Sequence, residues 1–347
     1  MAITIEKHIE LSSYTTMGVS AMAQYLARIN CVDSLVEALN WAKKNKVNVL
    51  VLGGGSNVIL PSYFEGLVLL IGLKKKIIIH EDEHSVELLI GAGENWHELV
   101  EWTVEKGWIG LENLALIPGS VGAAPIQNIG AYGVEVEEYI TSVQYLNADT
   151  LDLIWIDRDK CDFAYRNSIF KKELKIKAII TEVQFKLPKN AQLRTDYESL
   201  RYFFSQQGIH NPSQQQIFDA VIQVRQSRLP DIQTLGSCGS FFKNPLLPSE
   251  QIDHLSTRFP DIKVYPMPGG YTKVAAGWLI DKAVGKGFRK GQVSTYEQQA
   301  LVIVHHGGAS GDEICEFASL IQSKVLEMFE ISLEAEVQII TVNGKDI

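Results

Sequence analysis

A single serine follows four small residues in the stretch GSCGSFFKNP, residues 236 to 245. Ser240 is not the nucleophile of a G-x-S-x-G turn, because Cys238 and Phe242 occupy the flanking glycine positions. No histidine of the sequence stands in a triad-like motif. A hydroxyl without an activating base is a poor nucleophile, yet it can donate a proton to a strongly basic carbon centre. The stretch indicates either a proton donor or an ordinary turn serine.

Two other motifs carry residue types that suit an anionic substrate. Arg166, within CDFAYRNSIFK (161–171), has a planar donor fork that fits a carboxylate or a phosphate. Glu334 and Glu336 are two residues apart in SLEAEVQII (332–340), so a strand would place both on one face. Such residues are also ordinary surface charges, and both interpretations stay open at this point.

Two glycine-rich runs could bring the backbone close to a ligand. Residues 53–57 (GGGSN) follow the predicted strand VNVLVL (47–52), and IPGSVGAAPIQNIGAYG spans 117–133. Neither run is a G-x-G-x-x-G turn that opens a helix or a P-loop with Gly-Lys-Ser/Thr. Consecutive glycines still allow backbone N–H groups to converge on an anion such as a diphosphate. Together the runs favour a dinucleotide cofactor over two unrelated tight turns.

The composition is that of a globular protein and argues against several classes. The 347 residues, 46% hydrophobic and 21% charged, suggest two or three domains. A net charge of −9 without a basic block argues against nucleic acid. The sequence has no signal-like apolar run at its start and no stretch near the ~20 apolar residues of a membrane span, so we expect a cytoplasmic protein. Its four cysteines lack a C-x-x-C pair, so no zinc site or disulfide framework is predicted.

Periodicity and turn residues predict a mixture of helices and strands in several lobes, an α+β class. Ser34 and Glu37 have capping-box spacing at the start of the first helix, and Gly107 is expected to end the second. The predicted helices are 33–46, 94–107, 214–228, 249–259, 274–284 and 311–329. The predicted strands after the first are 66–73, 75–80, 86–93, 300–306 and 332–342, with 142–187 mostly extended. The polar segment 188–215 indicates a boundary or an insertion.

Seven ordered motifs resemble those of the bacterial UDP-N-acetylenolpyruvoylglucosamine reductases. They are LGGGSNVIL, IPGSVGAAPIQNIGAYGVEV, YRNSIFK, GSFFKNP, AAGWLID, QQALVIV and LEAEV, with TTMGV near the start. The resemblance covers nearly the whole chain. It implies an α+β fold with two FAD-binding lobes of the vanillyl-alcohol-oxidase/PCMH type and a smaller α+β substrate-binding lobe. The implied lobes are 1–72, 73–229 with the insertion 188–215, and 230–329, with 330–347 returning towards the flavin lobes.

The resemblance also implies an activity and a set of site residues. The expected reaction is the NADPH-dependent reduction, through FAD, of UDP-N-acetylglucosamine enolpyruvate to UDP-N-acetylmuramate in peptidoglycan precursor synthesis. Arg166, Ser240 and Glu336 match the family's catalytic positions. The implied flavin contacts are Gly53, Gly54, Gly55, Ser56, Asn57, Pro118, Gly119, Ser120, Gly122, Ala123, Asn128, Gly130 and Ala131. The implied substrate contacts are Tyr197, Arg228, Asn244 and Gln299, with Tyr197 resembling the substrate-closing tyrosine of the family's longer branch.

Two departures and two alternatives accompany the resemblance. Cys238 stands where the family commonly has alanine, and Arg228 stands where the longer branch usually has lysine. A flavin oxidase of the same superfamily is an alternative, although neither glycine run holds a His or Cys that could tether the flavin. The other alternative is a protein that binds a nucleotide sugar without catalysing a reaction, although such a protein would not need Ser240 as a proton donor. A monomer without nucleic-acid or membrane partners is expected.

Overall fold

The computed structural model describes residues 3–344, which divide into two compact units. The first unit runs from the start of the chain to Lys7 and continues with Gln24–Gly54 and Gly66–Ser227. The second unit comprises His8–Ala23, Gly55–Glu65 and the chain from Arg228 onward. This division does not separate two flavin lobes from each other, so the three lobe boundaries given above stay a prediction.

The structure contains helices and strands in both units. The helices are α1 (Val32–Asn45), α2 (Trp96–Glu105), α3 (Glu198–Gln206), α4 (Gln214–Gln226), α5 (Ser249–Arg258), α6 (Ala276–Ala283) and α7 (Gly311–Phe329). The strands are β1 (Glu6–Glu10), β2 (Met22–Ile29), β3 (Asn48–Leu52), β4 (Val58–Ile59), β5 (Tyr63–Ile71), β6 (Lys76–Glu81), β7 (Ser85–Gly91), β8 (Gly130–Ala131), β9 (Val134–Glu135), β10 (Ile140–Asn147), β11 (Leu153–Asp157), β12 (Ala178–Pro188), β13 (Ser237–Ser240), β14 (Leu246–Pro248), β15 (Val264–Met267), β16 (Tyr271–Val274), β17 (Arg289–Lys290), β18 (Val293–Thr295), β19 (Val302–His305) and β20 (Gln338–Ile339).

The first unit is built on a five-stranded antiparallel sheet of order β11-β10-β12-β7-β6 and on the parallel pairing of β3 with β5. Alternate residues of a strand face the same side, so the β7 residues Val86, Leu88 and Ile90 are buried together. Helix α2 packs in the same core through Trp96 and Val100. This core holds β7 and α2, and the loop between them contacts the second glycine run.

The second unit contains a four-stranded sheet of order β13-β19-β18-β17, a three-stranded sheet of order β14-β16-β15 and the parallel pair β20-β4. Helix α7 begins at a capping box, in which Ser310 Oγ accepts the Glu313 N–H and the Glu313 carboxylate accepts the Ser310 N–H. Its buried face packs in one core with Phe241 and Phe242, which directly follow β13. That packing fixes the end of β13, where Ser240 lies.

Most of the predicted elements are present, with several corrections. The helices predicted at 33–46, 94–107, 214–228, 249–259, 274–284 and 311–329 are confirmed to within a few residues. Gly107 follows α2 in the left-handed region, with φ +72°. The prediction for Ser34 is wrong, because α1 begins at Val32 and the Ser34 hydroxyl accepts the Cys31 N–H from inside the first turn.

Two extended segments and one polar segment also differ from prediction. The strand predicted at 332–342 is not continuous, since the structure has β20 at Gln338–Ile339 and single bridge residues at Ala335 and Ile340 there. Within 142–187, residues 158–177 form loops and two short 3-10 turns instead of extended chain. The polar segment 188–215 contains the unpredicted helix α3, which buries Leu200 and Phe204. None of the helices within residues 3–344 has the length and apolarity that a membrane crossing requires.

Candidate active site

In the first unit, the start of the first glycine run lies directly against the second run. A Cβ atom on Gly54 would lie 2.7 Å from the Cα of Gly119, and one on Gly53 would overlap the hydroxyl of Ser120. A backbone atom cannot give way as a side-chain tip can, so Gly54 is the stricter requirement. Residues 53–54 and 119–120 therefore belong to two loops that lie in direct contact. The sequence had indicated that each run approaches a ligand, whereas these glycines also approach each other.

The loop before α2 and the first turn of that helix hold the second glycine run in place. Trp96 donates its backbone N–H to the Gly119 carbonyl over 3.1 Å, and Gly122 donates to the Ala92 carbonyl over 2.9 Å. A side chain at Gly122 would collide with the Cβ of Ala92 at 2.6 Å. Gly119 has φ +122°, a conformation that residues with side chains rarely adopt. The run has glycines at these positions because its backbone lies directly against the loop before α2 and the first turn of that helix.

The paired runs present an accessible backbone surface that fits an anion. Gly54 and Pro118 are exposed, and Gly119 is half-buried. Within residues 3–344, neither Gly54 nor Gly119 donates its N–H to a protein acceptor. Adjacent backbone N–H groups on a concave, side-chain-free surface are a recurring site for phosphate groups. The residues present here therefore fit the diphosphate of a dinucleotide such as FAD.

Asn128 uses its side chain inside the protein. It is fully buried, with φ +46°, and its Nδ2 donates to the carboxylate of Glu135 over 2.8 Å and to Glu137 over 3.3 Å. Its Oδ1 accepts the Glu137 N–H over 3.1 Å. These bonds fix the shape of the run between Ile126 and Gly130. A flavin contact of Asn128 itself stays a prediction, and it would have to use the backbone.

Arg166 lies against the end of the same run. Its Nη2 donates to the Gly130 carbonyl over 2.6 Å, and its guanidinium carbon lies 5.3 Å from the centroid of the Tyr165 ring. The loop is also tied down by Ser168, whose hydroxyl donates to the Ile126 carbonyl over 2.6 Å. Arg166 has φ +54°, and non-glycine residues in this region often mark functional sites. The structure thus places the predicted catalytic arginine beside the predicted flavin residues 130–131.

Tyr132 and Arg225 join this part of the site, although the sequence had not singled them out. The ring of Tyr132 meets that of Tyr197 edge to face, with centroids 5.3 Å apart, and Tyr197 is 43% exposed. Burial lowers the pKa of Arg225, which hydrogen-bonds to the side chain of Tyr132. Tyr132 could have been identified from the sequence, since it lies within the second glycine run. Nothing in the sequence indicated Arg225, because an arginine in a helix is usually solvent-exposed.

In the second unit, the rest of the first glycine run reaches the backbone of Glu336. Gly55 has φ +59°, and a Cβ there would overlap the carbonyl of Tyr14. Asn57 donates its side-chain Nδ2 to the Glu336 carbonyl over 3.2 Å, and its own carbonyl accepts the Gln338 N–H over 3.0 Å. Asn57, predicted as a flavin contact, therefore also fixes the main chain of a predicted catalytic residue.

A short antiparallel pairing brings Ser240 and Glu336 together. Glu336 donates its N–H to the Phe241 carbonyl over 2.8 Å, and Phe242 is bridged to Ala335. Ser240, the residue before Phe241, is exposed, and Glu336 is half-buried. Two predicted catalytic residues, 96 positions apart in the sequence, thus lie on neighbouring backbone segments of one unit.

The small residues before Ser240 are explained by contacts with the segment near residue 16. Thr16 donates its hydroxyl to the Ser237 carbonyl over 2.7 Å, and Ser237 returns its N–H to the Thr16 carbonyl over 3.0 Å. A Cβ on Gly236 would overlap the Met17 carbonyl, and Gly239 has φ +71°. The stretch is glycine-rich because two backbones meet there and one turn is left-handed.

The predicted substrate residues of the second unit have mixed surroundings. Asn244 accepts the Ala276 N–H through its Oδ1 over 2.9 Å, at the start of α6. Gln299 lies against Gly277, since a Cβ there would be 2.7 Å from its Oε1. Arg228 is exposed. Their roles as substrate contacts stay predictions.

Cys238, the departure from the family pattern, is buried in the core of the second unit. Its thiol lies 3.5 Å from the Val58 carbonyl, and burial raises its pKa to about 12. A thiol with such a pKa stays protonated at neutral pH and is unreactive. The structure therefore favours Cys238 as a small packing residue.

We expect native protein to show one fast-reacting thiol towards DTNB, that of Cys31. Cys31 is exposed, and hydrogen bonds from Ser34 hold the pKa of its thiol below the usual value. Burial raises the pKa of Cys161 and Cys238 to about 12 and of Cys315 to about 11. Because the thiolate is the reactive species, these three should react only after unfolding. Cys31→Ser should remove the fast phase, and a fast phase that persists in that variant would show that a buried thiol is accessible.

The comparisons with known proteins first define the class. A family model described as an FAD binding domain matches residues 23–150. The match includes both glycine runs, whose backbone geometry fits a dinucleotide diphosphate. The chain thus contains an FAD-binding domain, which defines its class as a flavoprotein.

The particular family follows from matches along the whole chain. A second family model, the C-terminal domain of UDP-N-acetylenolpyruvoylglucosamine reductase, matches residues 231–340. The reductase of this name from Paraburkholderia phytofirmans is 46% identical over 94% of this chain and 95% of that protein. The one from Pseudomonas aeruginosa is 41% identical over 97% of this chain and 99% of that protein. The chain belongs to the UDP-N-acetylenolpyruvoylglucosamine reductase family.

A solved structure shows the same fold. The crystal structure of UDP-N-acetylenolpyruvylglucosamine reductase from Thermus caldophilus aligns with a TM-score of 0.66 at 22% identity, over 97% of this chain and 99% of that one. The predicted family is confirmed, as are the predicted α+β class and the predicted FAD-binding region.

Proposed function

We propose that the protein reduces UDP-N-acetylglucosamine enolpyruvate to UDP-N-acetylmuramate, with FAD as its cofactor and NADPH as the hydride donor. Membership of the reductase family supports the substrate. The observation that carries the chemistry is the backbone pairing of Phe241 with Glu336, because it brings the segment that contains Ser240 next to the segment that contains Glu336. The product would serve peptidoglycan precursor synthesis. The cytoplasmic location and the monomeric state stay predictions.

Arg166 is assigned to the substrate carboxylate. Bound FAD supplies the hydride that is added to C3 of the enolpyruvyl group, and negative charge then develops on C2 and the adjoining carboxylate. A planar guanidinium stabilises this charge more strongly as it grows. The bond from Arg166 Nη2 to the Gly130 carbonyl and the tyrosine ring beside the guanidinium orient the donor fork. Lysine at this position would lack that geometry.

Ser240 is assigned to the protonation of C2, and Glu336 to its support. The exposed hydroxyl of Ser240 can donate a proton to a basic carbon without a partner base. An ionised Glu336 would repel the substrate carboxylate, so we propose that it is protonated or shares a proton in the complex. The Asn57 amide holds the Glu336 backbone in place for this role.

Four further residues are proposed to bind the sugar nucleotide: Tyr197, Arg228, Asn244 and Gln299. The exposed side chain of Arg228 suits a diphosphate, because a guanidinium binds phosphate oxygens in a bidentate manner. The ring of Tyr197, at the start of α3, packs on Tyr132 and is 43% exposed, so its open side could contact a bound ligand.

The proposal is tested by the colour and the turnover of purified protein. We expect a flavin absorption spectrum and NADPH oxidation that depends on UDP-N-acetylglucosamine enolpyruvate. The control omits the sugar nucleotide and should consume NADPH only slowly. Rapid oxygen consumption with a sugar or alcohol would instead indicate a flavin oxidase. Well-folded protein that binds the nucleotide without turnover would indicate a binding protein.

A further inference from the structure

The first turn of α2 holds the segment that leads into the second glycine run at three points. Trp96 donates its Nε1–H to the Leu114 carbonyl over 2.9 Å. His97 accepts the Leu116 N–H at its Nδ1 over 3.1 Å. Trp96 also donates its backbone N–H to the Gly119 carbonyl over 3.1 Å. Of these three bonds, only the one at His97 uses a side chain that titrates near neutral pH.

The second of these contact points, Leu116, has an unusual backbone conformation for a residue with a side chain. Leu116 has φ +57°, in the left-handed region that few residues with side chains adopt. Such a conformation persists only where surrounding contacts hold it. The bond to His97 is a contact of this kind.

The imidazole of His97 is itself held in one orientation. Its ring stacks on that of Phe218 from α4, with centroids 5.7 Å apart and planes 17° from parallel. The ring is half-buried. Because it cannot turn freely, its Nδ1 stays directed at the Leu116 N–H.

The protonation state of His97 follows from this geometry and from its neighbours. Nδ1 accepts a hydrogen bond only when it carries no proton, so the bond requires the neutral ring with its proton on Nε2. Burial lowers the pKa of His97; Glu101 and Glu98 of α2 raise it, and Arg225 of α4 lowers it. Residues 114–117 bring no ionisable side chain. Because the pKa of His97 lies below the ordinary histidine value of about 6.5, the neutral form dominates at neutral pH and is lost only at a pH lower than that value.

We propose that His97 is a positioning residue for the flavin-binding loop: it fixes Leu116 and thereby sets the path of residues 117–120, the part of the loop that would hold the FAD diphosphate. The proposal rests on the assignment of this loop to FAD made above. It adds a residue outside the loop on which cofactor retention depends. It also predicts that mild acid loosens the cofactor before it unfolds the protein.

Two substitutions distinguish the effect of the hydrogen bond from the effect of the ring packing. His97→Asn places an amide oxygen near the position of Nδ1 and keeps the acceptor, whereas His97→Phe keeps a ring on Phe218 and removes the acceptor. We expect FAD release from purified flavoprotein, followed by the rise in flavin fluorescence, to be about tenfold faster for His97→Phe. His97→Asn should release FAD at nearly the wild-type rate. His210→Phe, at an exposed histidine of the same unit, is the control and should match wild type.

The pH profile gives a readout that simple loss of packing would not change. Wild-type release should accelerate in mild acid, at a pH lower than the ordinary histidine pKa of about 6.5, whereas His97→Asn should show no such acceleration, because its amide does not titrate. Release from His97→Phe at the wild-type rate, or an identical acid response in wild type and His97→Asn, would overturn the proposal.

A second measurement covers the case in which the variants do not fold. Nitrogen NMR of the imidazole in wild-type protein should show an unprotonated Nδ1 and a protonated Nε2 at neutral pH. A protonated Nδ1 would overturn the proposal. Wild-type protein that binds no FAD would overturn the proposed function instead, while the NMR result would still decide whether the His97 bond exists.

Discussion

Replacing Ser240 by alanine should leave NADPH-dependent flavin reduction intact and slow the reoxidation of reduced flavin by the enolpyruvyl substrate about 10²–10⁴-fold, the usual contribution of a positioned proton donor. The two half-reactions separate because only the second one protonates carbon. Anaerobic rapid mixing measures both from the flavin absorbance. The side chain of Ser240 is exposed, so its removal should not disturb the core formed by Phe241 and Phe242.

A matched control uses an exposed serine of the same unit. Ser319 lies on the surface of α7, where its hydroxyl bonds to the Cys315 carbonyl. Ser319→Ala should reoxidise at the wild-type rate. Ser240→Ala that also does so would remove Ser240 from the role of proton donor.

Replacing Gly54 by alanine should strongly reduce FAD loading. The added Cβ would lie 2.7 Å from the Gly119 Cα, so the two glycine runs would have to move apart. Overpacking of this kind costs about 1–3 kcal/mol, which corresponds to a five- to 150-fold loss at a site that depends on the spacing. The ratio of flavin to protein after purification and the affinity for added FAD measure the effect.

The control for Gly54 separates a steric clash from a backbone effect. Gly54 is not among the positive-φ glycines, whereas Gly208 has φ +67° and open space around its Cβ position. Gly208→Ala should therefore cost about 1–2 kcal/mol in stability and leave FAD loading unchanged. Full loading of Gly54→Ala would mean that the contact between the two runs is not needed for the cofactor.

Much of the fold could be predicted because apolar spacing and turn residues act locally. Helix α1 buries Leu35, Ala38, Leu39 and Ala42, which recur at helical spacing. Helix α3 was missed because Leu200 and Phe204 are its main buried apolar residues in a polar stretch. The strand predicted at 332–342 is broken because a strand needs a continuous partner, and residues 335 and 338–340 pair with different segments of the chain.

The sequence could propose residues for the site but not their contacts. The resemblance assigns catalytic roles to Arg166, Ser240 and Glu336, and these roles stay predictions. The contact of Gly54 with Gly119 and the bonds of Arg225 and His97 could not be predicted, since they join residues 65, 93 and 19 positions apart that no motif links. Such contacts depend on tertiary packing, which no local pattern records.

The most direct test of flavin-mediated enolpyruvyl reduction is one anaerobic mixing experiment. Protein whose flavin has been reduced by NADPH is mixed with UDP-N-acetylglucosamine enolpyruvate in the absence of oxygen. We expect the oxidised flavin spectrum to return, with UDP-N-acetylmuramate formed in an amount equal to the flavin. A flavin that stays reduced with this substrate, and is reoxidised only when oxygen is admitted, would contradict the proposed reaction.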